Sequence, residues 1–280
     1  MRRWLSCLSL VMLLITGFAY GQEPPYTSVA LIGTFQQALG CESNRQPDCA
    51  LTQMTFDEED QLWQTTLTLP PGEYTYQVAL NGSAELTIGA GAEAGGSAVA
   101  LALDAERAVQ FFFDPMSGWF TDNINSLIIN VPGNFQSEIG CPADWSPWCL
   151  QSWLQDADGD GIYTYSTTAL PSGSYEAKVA ANQSWDVNWG MNGARGGANI
   201  PFIVPEDNTE VEFSFNTADN VMTILIGGES ASALVGNLFT ATAHWVNRDT
   251  ILWDIGRVPG ARYRLHYSPD GALELTEGGI

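Results

Sequence analysis

Residues 133–149 read GNFQSEIGCPADWSPWC, and residues 33–49 read GTFQQALGCESNRQPDC. The glycines, the phenylalanine, the glutamine and both cysteines keep their places in the two stretches. The similarity continues downstream, where LPPGEY at residues 69–74 is repeated as LPSGSY at residues 170–175. We interpret this self-similarity as a duplicated module with small loop insertions between the copies.

The composition limits the class of protein. The chain has 280 residues, which suits two modules of about a hundred residues and a further short unit. It carries 32 acidic and 10 basic residues, and a net charge of −22 argues against nucleic acid or an anionic membrane as partner. With 45% hydrophobic and 15% charged residues, the composition is that of a folded protein.

The hydrophobic pattern after the first residues favours strands. No later segment keeps a helical period, and short alternating runs are separated by turn residues, which predicts an all-β fold of tandem β-sandwiches. We expect a hairpin between residues 62–69 and 74–80, joined through a Pro-Pro-Gly turn. The second copy should form the same hairpin between residues 161–168 and 175–181.

The start of the chain has the pattern of a signal peptide over residues 1–21. Two arginines precede an apolar run, and Ala19-Tyr20-Gly21 offers small residues for cleavage, so we expect a secreted, extracellular protein. An uncleaved anchor is the alternative. We then expect modules at residues 26–122 and 126–227, a linker at 228–235, and a third unit at 236–280. The tail is too short for a good sandwich core, which predicts a truncated β unit.

Four cysteines remain after the signal: Cys41, Cys49, Cys141 and Cys149. In an exported protein such spacing indicates disulfides, and four cysteines allow three pairings. The repeat favours one local bond within each copy. A zinc site is the alternative, but the Cys-x-x-Cys spacing typical of such sites is missing.

The quoted residues resemble a known family. The segment GSYEAKVAANQSWDVNWG at residues 173–190 and the GGANI that follows it are similar to the X25 module of bacterial pullulanases and amylopullulanases. That module in turn resembles the starch-binding, SusE-like β-sandwich. AHWV at residues 243–246 and YRLHYSPDG at 263–271 resemble the N-terminal β-domain that precedes the catalytic barrel of pullulanase-type enzymes.

The resemblance implies immunoglobulin-like β-sandwiches and an accessory role. The chain would be a non-catalytic, monomeric region that binds α-glucan (starch, pullulan or glycogen), without a cofactor other than calcium. It is similar only to regions that precede a catalytic barrel, and the paired carboxylates of such enzymes are held on that barrel. The alternatives are a structural spacer without ligand, and a piece of a longer glycoside hydrolase.

Two tryptophans mark the expected carbohydrate site. The second copy has Trp185 and Trp189 where the first has Ala84 and Ile88. In an extended strand both rings would point to one face, roughly 13 Å apart. The polar neighbours that could bond sugar hydroxyls are Asn182, Asp186 and Asn188. The alternative is that one indole belongs to the core and the other supports a loop.

Two further features have two interpretations each. Trp145 and Trp148 lie in the second disulfide loop and could add a sugar contact or cover a sandwich edge. Asp156, Asp158 and Asp160 have the alternate spacing of oxygen ligands in a calcium loop, although no acidic residue stands at the twelfth position. The same aspartates could instead form an acidic hairpin turn.

Overall fold

The structure is a computed structural model that describes residues 25–230 and four strands of the tail, with side chains described for residues 25–228. The predicted signal peptide therefore lies outside the described residues, as does most of the predicted linker. Across the described part of the chain, no helix has the length and apolarity needed to cross a membrane.

Module one contains two antiparallel sheets. Its strands are β1 (Val29–Gly33), β2 (Thr55–Asp57), β3 (Leu62–Leu69), β4 (Gly72–Leu80), β5 (Ser83–Ile88), β6 (Val99–Leu103), β7 (Arg107–Phe113) and β8 (Phe120–Asp122). One sheet has the order β1-β4-β5, with β6 also paired to β4, and the other has the order β2-β3-β7-β8. The apolar faces of both sheets meet in one buried cluster, as in a β-sandwich.

Module two repeats this plan with ten strands. They are β9 (Ile129–Asn130), β10 (Trp153–Leu154), β11 (Ile162–Thr167), β12 (Gly173–Ala177), β13 (Val179–Ala181), β14 (Ser184–Trp189), β15 (Ile200–Val204), β16 (Val211–Asn216), β17 (Val221–Ile226) and β18 (Glu229–Ser230). The sheets have the orders β10-β9-β13-β14, β11-β16-β17-β18 and β12-β15. The strand that is continuous as β4 in module one is divided into β12 and β13 here.

The helical pieces are single turns between strands. They are α1 (Gln36–Leu39) and the 3₁₀ turns Ala50–Thr52, Ala90–Ala92, Gln136–Ile139, Leu150–Ser152 and Met191–Gly193. The tail forms a four-stranded antiparallel sheet of β19 (Ala241–Asn247), β20 (Thr250–Ile255), β21 (Tyr263–Tyr267) and β22 (Leu273–Glu277). The predicted all-β class with tandem sandwiches is confirmed.

The predicted hairpin between residues 62–69 and 74–80 is wrong, and so is its counterpart between residues 161–168 and 175–181. β3 pairs with β7, whereas β4 lies in the other sheet. In module two, β11 pairs with β16 and β12 with β15. Proline lacks the amide hydrogen that a ladder beside a tight turn would use, and these proline-containing links pass from one sheet to the other.

The glutamine of the repeated Gly-x-Phe-Gln motif anchors the disulfide loop that follows it. Gln136 is fully buried; its amide nitrogen donates to the Ser146 carbonyl at 3.0 Å, and its oxygen accepts from the Ser146 N–H at 2.7 Å. Gln36 makes the same pair of bonds with Gln46, at 2.7 and 2.8 Å. The motif recurs because a buried side-chain amide needs these partners, and the loop backbone supplies them.

Both local disulfides predicted from the repeat are present, so the pairing is confirmed. Cys41 is bonded to Cys49 and Cys141 to Cys149, with Cα–Cα distances of 5.9 and 6.0 Å. In each bond the two cysteines are eight positions apart in sequence. The chain-entropy argument gives each such loop about 2–3 kcal/mol of stabilisation through the unfolded state.

The two modules share part of one hydrophobic core. The buried cluster of module two includes Leu62, Phe112 and Trp119 of module one. The ring centroids of Trp119 and Trp153 are 4.7 Å apart, and those of Phe112 and Trp153 are 5.9 Å apart. Aromatic pairs at such distances contribute beyond the area that they bury. The sandwiches are therefore packed directly on each other.

Hydrogen bonds accompany this apolar contact. The Leu150 N–H donates to Asp60 Oδ1 at 2.7 Å, the Gln151 amide to the Glu59 carbonyl at 2.7 Å, and the Gln155 amide to Asp114 Oδ2 at 2.6 Å. Asp60 is buried, and this burial raises the pKa of its carboxyl to about 6, against the opposing effect of the Leu150 N–H. The neighbouring charges of Asp57 and Glu59 raise that pKa further.

Replacing Asp60 by asparagine should remove a pH dependence of stability. Because the Asp60 pKa is raised in the folded chain, the native state binds more protons than the unfolded state between about pH 4 and 6, so stability falls as pH rises through that window. The oxygen of the new amide would still accept from the Leu150 N–H. We expect Asp60→Asn to be more stable than the parent at neutral pH, by about 1 kcal/mol after solvent screening, and equal to it near the unfolded pKa.

Thermal unfolding at a series of pH values checks this expectation. Asp104→Asn, at an exposed position, is the matched control and should follow the parent. Identical pH profiles for Asp60→Asn and the parent would contradict the assigned cause.

Candidate functional site

The β13–β14 hairpin of module two carries all five residues predicted to bind carbohydrate. Asn182 and Gln183 form its turn, both with positive φ (56° and 54°). Beyond the turn the pairing slips: Ala181 faces Ser184, whereas Ala180 faces Asn188. Residues 185–187 therefore bulge out of the ladder. The bulge interrupts the regular strand alternation, from which the spacing of the two rings was predicted.

The bulge separates the environments of the two tryptophans. Trp185 is exposed at 37%, whereas Trp189 packs against the core with its ring 5.2 Å from that of Phe215. Module one has the same slip, and Ile88 at the position of Trp189 also packs against the core. Trp189 therefore has a packing role that both copies share, and Trp185 is the indole that module two adds to its surface.

Two polar residues of the predicted site hold the bulge in shape. The Asn188 amide donates to the Trp185 carbonyl at 2.8 Å, and the Asp186 N–H donates to Ser184 Oγ at 3.1 Å. Asn188 Oδ1 is buried and has no hydrogen-bond partner among the described side and main chains. The side chain of Asp186 is exposed and lies beside Trp185 in sequence. These two residues thus support the presentation of Trp185.

Asn182 has a structural contact that recurs in both modules. Its side-chain oxygen accepts from the Ile128 N–H at 3.3 Å, and its own N–H donates to the Ile128 carbonyl at 2.6 Å. In module one, Asn81 accepts from the Thr27 N–H at 2.8 Å. This bond ties the turn to the chain entering the module, which explains the asparagine in both copies without a ligand.

Trp148 is the most exposed indole among the described residues, at 55%. Its carbonyl accepts from the Gln183 side-chain amide at 3.4 Å, which links the disulfide loop to the hairpin turn before Trp185. Asn130 is buried and donates to the carbonyls on both sides of Trp148, at Pro147 and Cys149. We call Trp148, Gln183 and Trp185 together the indole surface. Trp145 is half-buried and lies outside it.

Comparison of the two copies is the sequence signal for this surface. Module one has Asp48 and Ala84 at the positions of Trp148 and Trp185. Trp189 was predicted to bind carbohydrate on the same comparison, because module one has Ile88 at that position. An aliphatic counterpart, however, indicates a position in the core. Trp148 and Trp185, whose counterparts are an aspartate and an alanine, are the two exposed rings of module two. The linking role of Gln183 depends on tertiary contact and left no sequence signal.

The three aspartates predicted for calcium lie together in the turn before β11. Asp156, Asp158 and Asp160 bring ligand oxygens within 4.8 Å of one another. Asp156 also accepts from the Asp160 and Gly161 N–H groups, each at 3.1 Å, and burial raises its pKa against those bonds. The convergent carboxylate oxygens are ligands of the kind that calcium prefers, and the backbone hydrogen bonds to Asp156 are those of an acidic turn.

Comparison with known proteins gives the family. The pullulanase X25 domain model matches residues 28–119 and 128–222, and the pullulanase N2 domain model matches residues 240–280. An amylopullulanase of Thermoanaerobacter thermohydrosulfuricus is 32% identical over 211 residues, which is 72% of this chain and 14% of the relative. One of Thermoanaerobacterium saccharolyticum is 30% identical over 230 residues, 77% of this chain and 18% of the relative.

The chain thus spans less than a fifth of the length of these curated relatives. Among solved structures, a pullulanase from Bacillus acidopullulyticus aligns with a TM-score of 0.31 and 17% identity, over 89% of this chain and 28% of that one. SusF from Bacteroides thetaiotaomicron aligns with a TM-score of 0.28 and 12% identity, over 90% and 60%. These scores are too low to carry an argument. The two matches of the domain model cover most of the chain, which therefore belongs to the pullulanase X25-domain family.

Proposed function

We propose that the chain is a secreted accessory region that binds α-glucan through the indole surface of its second X25 module. The observation that carries the proposal is the exposure of Trp185 and Trp148 at positions where module one has alanine and aspartate. Its relatives are named amylopullulanases, which supports starch, pullulan or glycogen as the ligand class. Secretion is supported by the N-terminal pattern and by two disulfides.

The physics of the site fits a weak, stacking contact. Indole rings offer a broad apolar face with one polar edge, and the apolar faces of glucose rings can lie against them. The Cys141–Cys149 bond and the bonds of Asn130 fix the backbone under Trp148 before any ligand binds, so little ordering is needed. Weak binding of this kind becomes effective when it is tethered to an enzyme acting on the same polymer.

We infer a non-catalytic role from the extent of the family matches. The X25 and N2 domain models account for residues 28–119, 128–222 and 240–280, and more than four fifths of each relative has no counterpart in this chain. The chemistry of the relatives would then reside in that remaining length, with this region keeping substrate close to it. Assay of the chain on pullulan tests this inference, and released reducing ends would contradict it.

Removing the exposed ring tests the binding site. We expect Trp185→Ala to lose most retardation in affinity electrophoresis through amylopectin, with at least a tenfold weaker affinity, since truncating an aromatic side chain that anchors a ligand costs about 2 kcal/mol or more. Trp148→Ala should weaken retardation less, and the double variant should migrate as in a gel without glucan. The thermal midpoints should stay near that of the parent because both rings are exposed.

Leu86→Ala is the matched control, since Leu86 is exposed at 54% on the corresponding strand of module one. It should be retarded like the parent. An unretarded parent would favour the structural spacer instead, and a retarded double variant would place binding elsewhere in the chain.

We also propose calcium as a ligand of the Asp156, Asp158 and Asp160 turn, supported by the convergence of their oxygens. Calcium at about 1 mM should raise the stability by about 1 kcal/mol relative to EGTA, because it binds the folded turn only. Asp158→Asn should remove this increment, whereas the exposed Asp104→Asn should keep it. Equal thermal midpoints in calcium and EGTA would leave the acidic-turn interpretation.

A further inference from the structure

Arg195 brings a charged side chain to the segment that carries Trp185. Its Nη2 lies 3.5 Å from the carbonyl oxygen of Asp186, which belongs to the bulge at residues 185–187. The side chain of Arg195 is exposed, as are those of Trp185 and Asp186. Because the arginine belongs to a separate loop, residues 190–197, its guanidinium group reaches across to the bulge and lies beside the indole surface.

The loop that carries Arg195 has the same backbone pairing in module one. An isolated bridge pairs Arg195 with Trp189, and the corresponding bridge pairs Ala94 with Ile88. In each copy the N–H of the next glycine also donates to the neighbouring strand, at 2.9 Å in module two and 2.7 Å in module one. Since alanine occupies this position in module one, the conformation of the loop does not require an arginine.

The guanidinium group of Arg195 has unused donors. Arginine carries five N–H groups that can donate hydrogen bonds. Within the described part of the chain, this guanidinium group makes one hydrogen bond, to the Asp186 carbonyl, and 3.5 Å is long for such a bond. Most of its donors are therefore available to a ligand at the exposed surface.

Comparison of the two copies groups this arginine with the two exposed rings. At three exposed positions around the hairpin, module one has a small or acidic residue and module two has an indole or a guanidinium group. Tryptophan and arginine are enriched among the residues that contribute most to binding at protein interfaces. The pairs are Asp48 and Trp148, Ala84 and Trp185, and Ala94 and Arg195.

The chemistry of a guanidinium group favours two adjacent oxygen atoms. Its planar fork of N–H groups reaches two neighbouring acceptors at once, whereas the ammonium group of lysine acts as a point charge. In glucose units joined through α-1,4 or α-1,6 linkages, the hydroxyls on C2 and C3 are both free and lie next to each other. A glucose ring stacked on Trp185 would present such a pair at its edge.

We propose that Arg195 is a ligand-contacting residue of the glucan site, whose guanidinium group donates to the C2 and C3 hydroxyls of the glucose unit that lies against Trp185. This inference rests on the proposed function, because it takes α-glucan as the ligand of the indole surface. It adds a basis for specificity: the site recognises the free hydroxyl pair, which both linkages leave intact, and not the linkage itself.

Nuclear magnetic resonance of the ¹⁵N-labelled chain tests the contact directly. Arg195→Lys identifies the Arg195 Nε–H signal by its loss, and Trp185→Phe identifies the Trp185 indole signal in the same way. On titration with maltoheptaose we expect both signals to shift saturably and to give the same dissociation constant, because both groups contact one ligand.

Substitutions at Arg195 test what the guanidinium group contributes. We expect Arg195→Ala to bind maltoheptaose about five- to tenfold more weakly than the parent, followed on the Trp185 signal. Arg195→Lys keeps the charge but loses the fork, and should bind about three- to fivefold more weakly. Arg107→Ala, at an exposed position of module one, removes the same charge and is the control that should bind like the parent.

A Trp185 signal that shifts while the Arg195 signal stays still would overturn this inference and leave the indole surface intact. Parent-like affinity in Arg195→Ala would also overturn it. If neither signal shifts, the proposed function fails together with the inference. Signals that respond to inorganic phosphate but not to maltoheptaose would assign the guanidinium group to an anion and overturn the proposal.

Discussion

Gly133→Ala is expected to destabilise the chain by about 3 kcal/mol, which corresponds to a fall of roughly 6–12 °C in the thermal midpoint. A Cβ at Gly133 would lie 2.5 Å from the Glu176 carbonyl oxygen and 2.5 Å from Cε1 of Phe135. Neither atom can move freely. The carbonyl of Glu176 accepts from the Asn134 N–H at 3.2 Å, and Phe135 is fully buried in the core.

A control separates this clash from the general effect of losing a glycine. Gly196→Ala meets no atom within 4 Å, but its φ of +64° is unfavourable for alanine, so we expect a loss of only about 1–2 kcal/mol. Denaturant unfolding of both variants gives the comparison. A Gly133→Ala variant no less stable than Gly196→Ala would mean that the backbone of β12 yields more easily than its bonds indicate.

Asp122→Ala should lower the stability by about 3–5 kcal/mol. Asp122 is fully buried at the end of β8 and accepts four hydrogen bonds. The donors are Tyr76 Oη at 2.6 Å, Asn125 Nδ2 at 2.7 Å, and the Ile124 and Asn125 N–H groups at 2.8 Å each. Alanine would leave these donors without their acceptor, and it would release the segment that leads into module two.

More conservative substitutions should lower the stability by smaller amounts. Tyr76→Phe removes one bond and should cost about 1–2 kcal/mol, and Asp122→Asn, which keeps the shape, should fall between it and Asp122→Ala. Asn123→Ala, at a half-buried neighbouring position, is the control. We expect this variant to lose only a little stability, because Asn123 accepts one hydrogen bond, from the Gln110 N–H. A free energy of unfolding for Asp122→Ala equal to that of the parent would show that the four hydrogen bonds do not stabilise this turn.

The duplicated stretch predicts much of the fold because its information is local. Gly133, Phe135, Gln136 and the disulfide act within one loop and its nearest strand, so their spacing survives in both copies. The choice of partner strand is a tertiary property. β3 and β4 are neighbours in sequence and alternate correctly, yet they lie in different sheets, and periodicity does not distinguish the two arrangements.

The candidate site could be predicted only in part, because it too depends on both local sequence and tertiary pairing. Comparison of the copies shows where module two has aromatic side chains that module one lacks, at Trp148 and Trp185. The bulge at residues 185–187 makes Trp185, rather than Trp189, the ring that faces solvent, and it arises from pairing with β13 that no local pattern specifies. The contact between the modules could not be predicted from either copy, because it depends on tertiary packing such as that of Trp119 on Trp153.

Because part of the hydrophobic core is shared across the boundary, we expect the two modules to unfold together, although each copy of the repeat is only one module long. Leu62, Phe112 and Trp119 lose their apolar surroundings if the second copy melts, and Trp153 loses its own if the first does. The two copies are similar in sequence, but the cluster that spans their junction makes each half depend on the other for part of its buried surroundings. Recombination that moved a single copy into another host protein would carry an uncovered apolar face along with it.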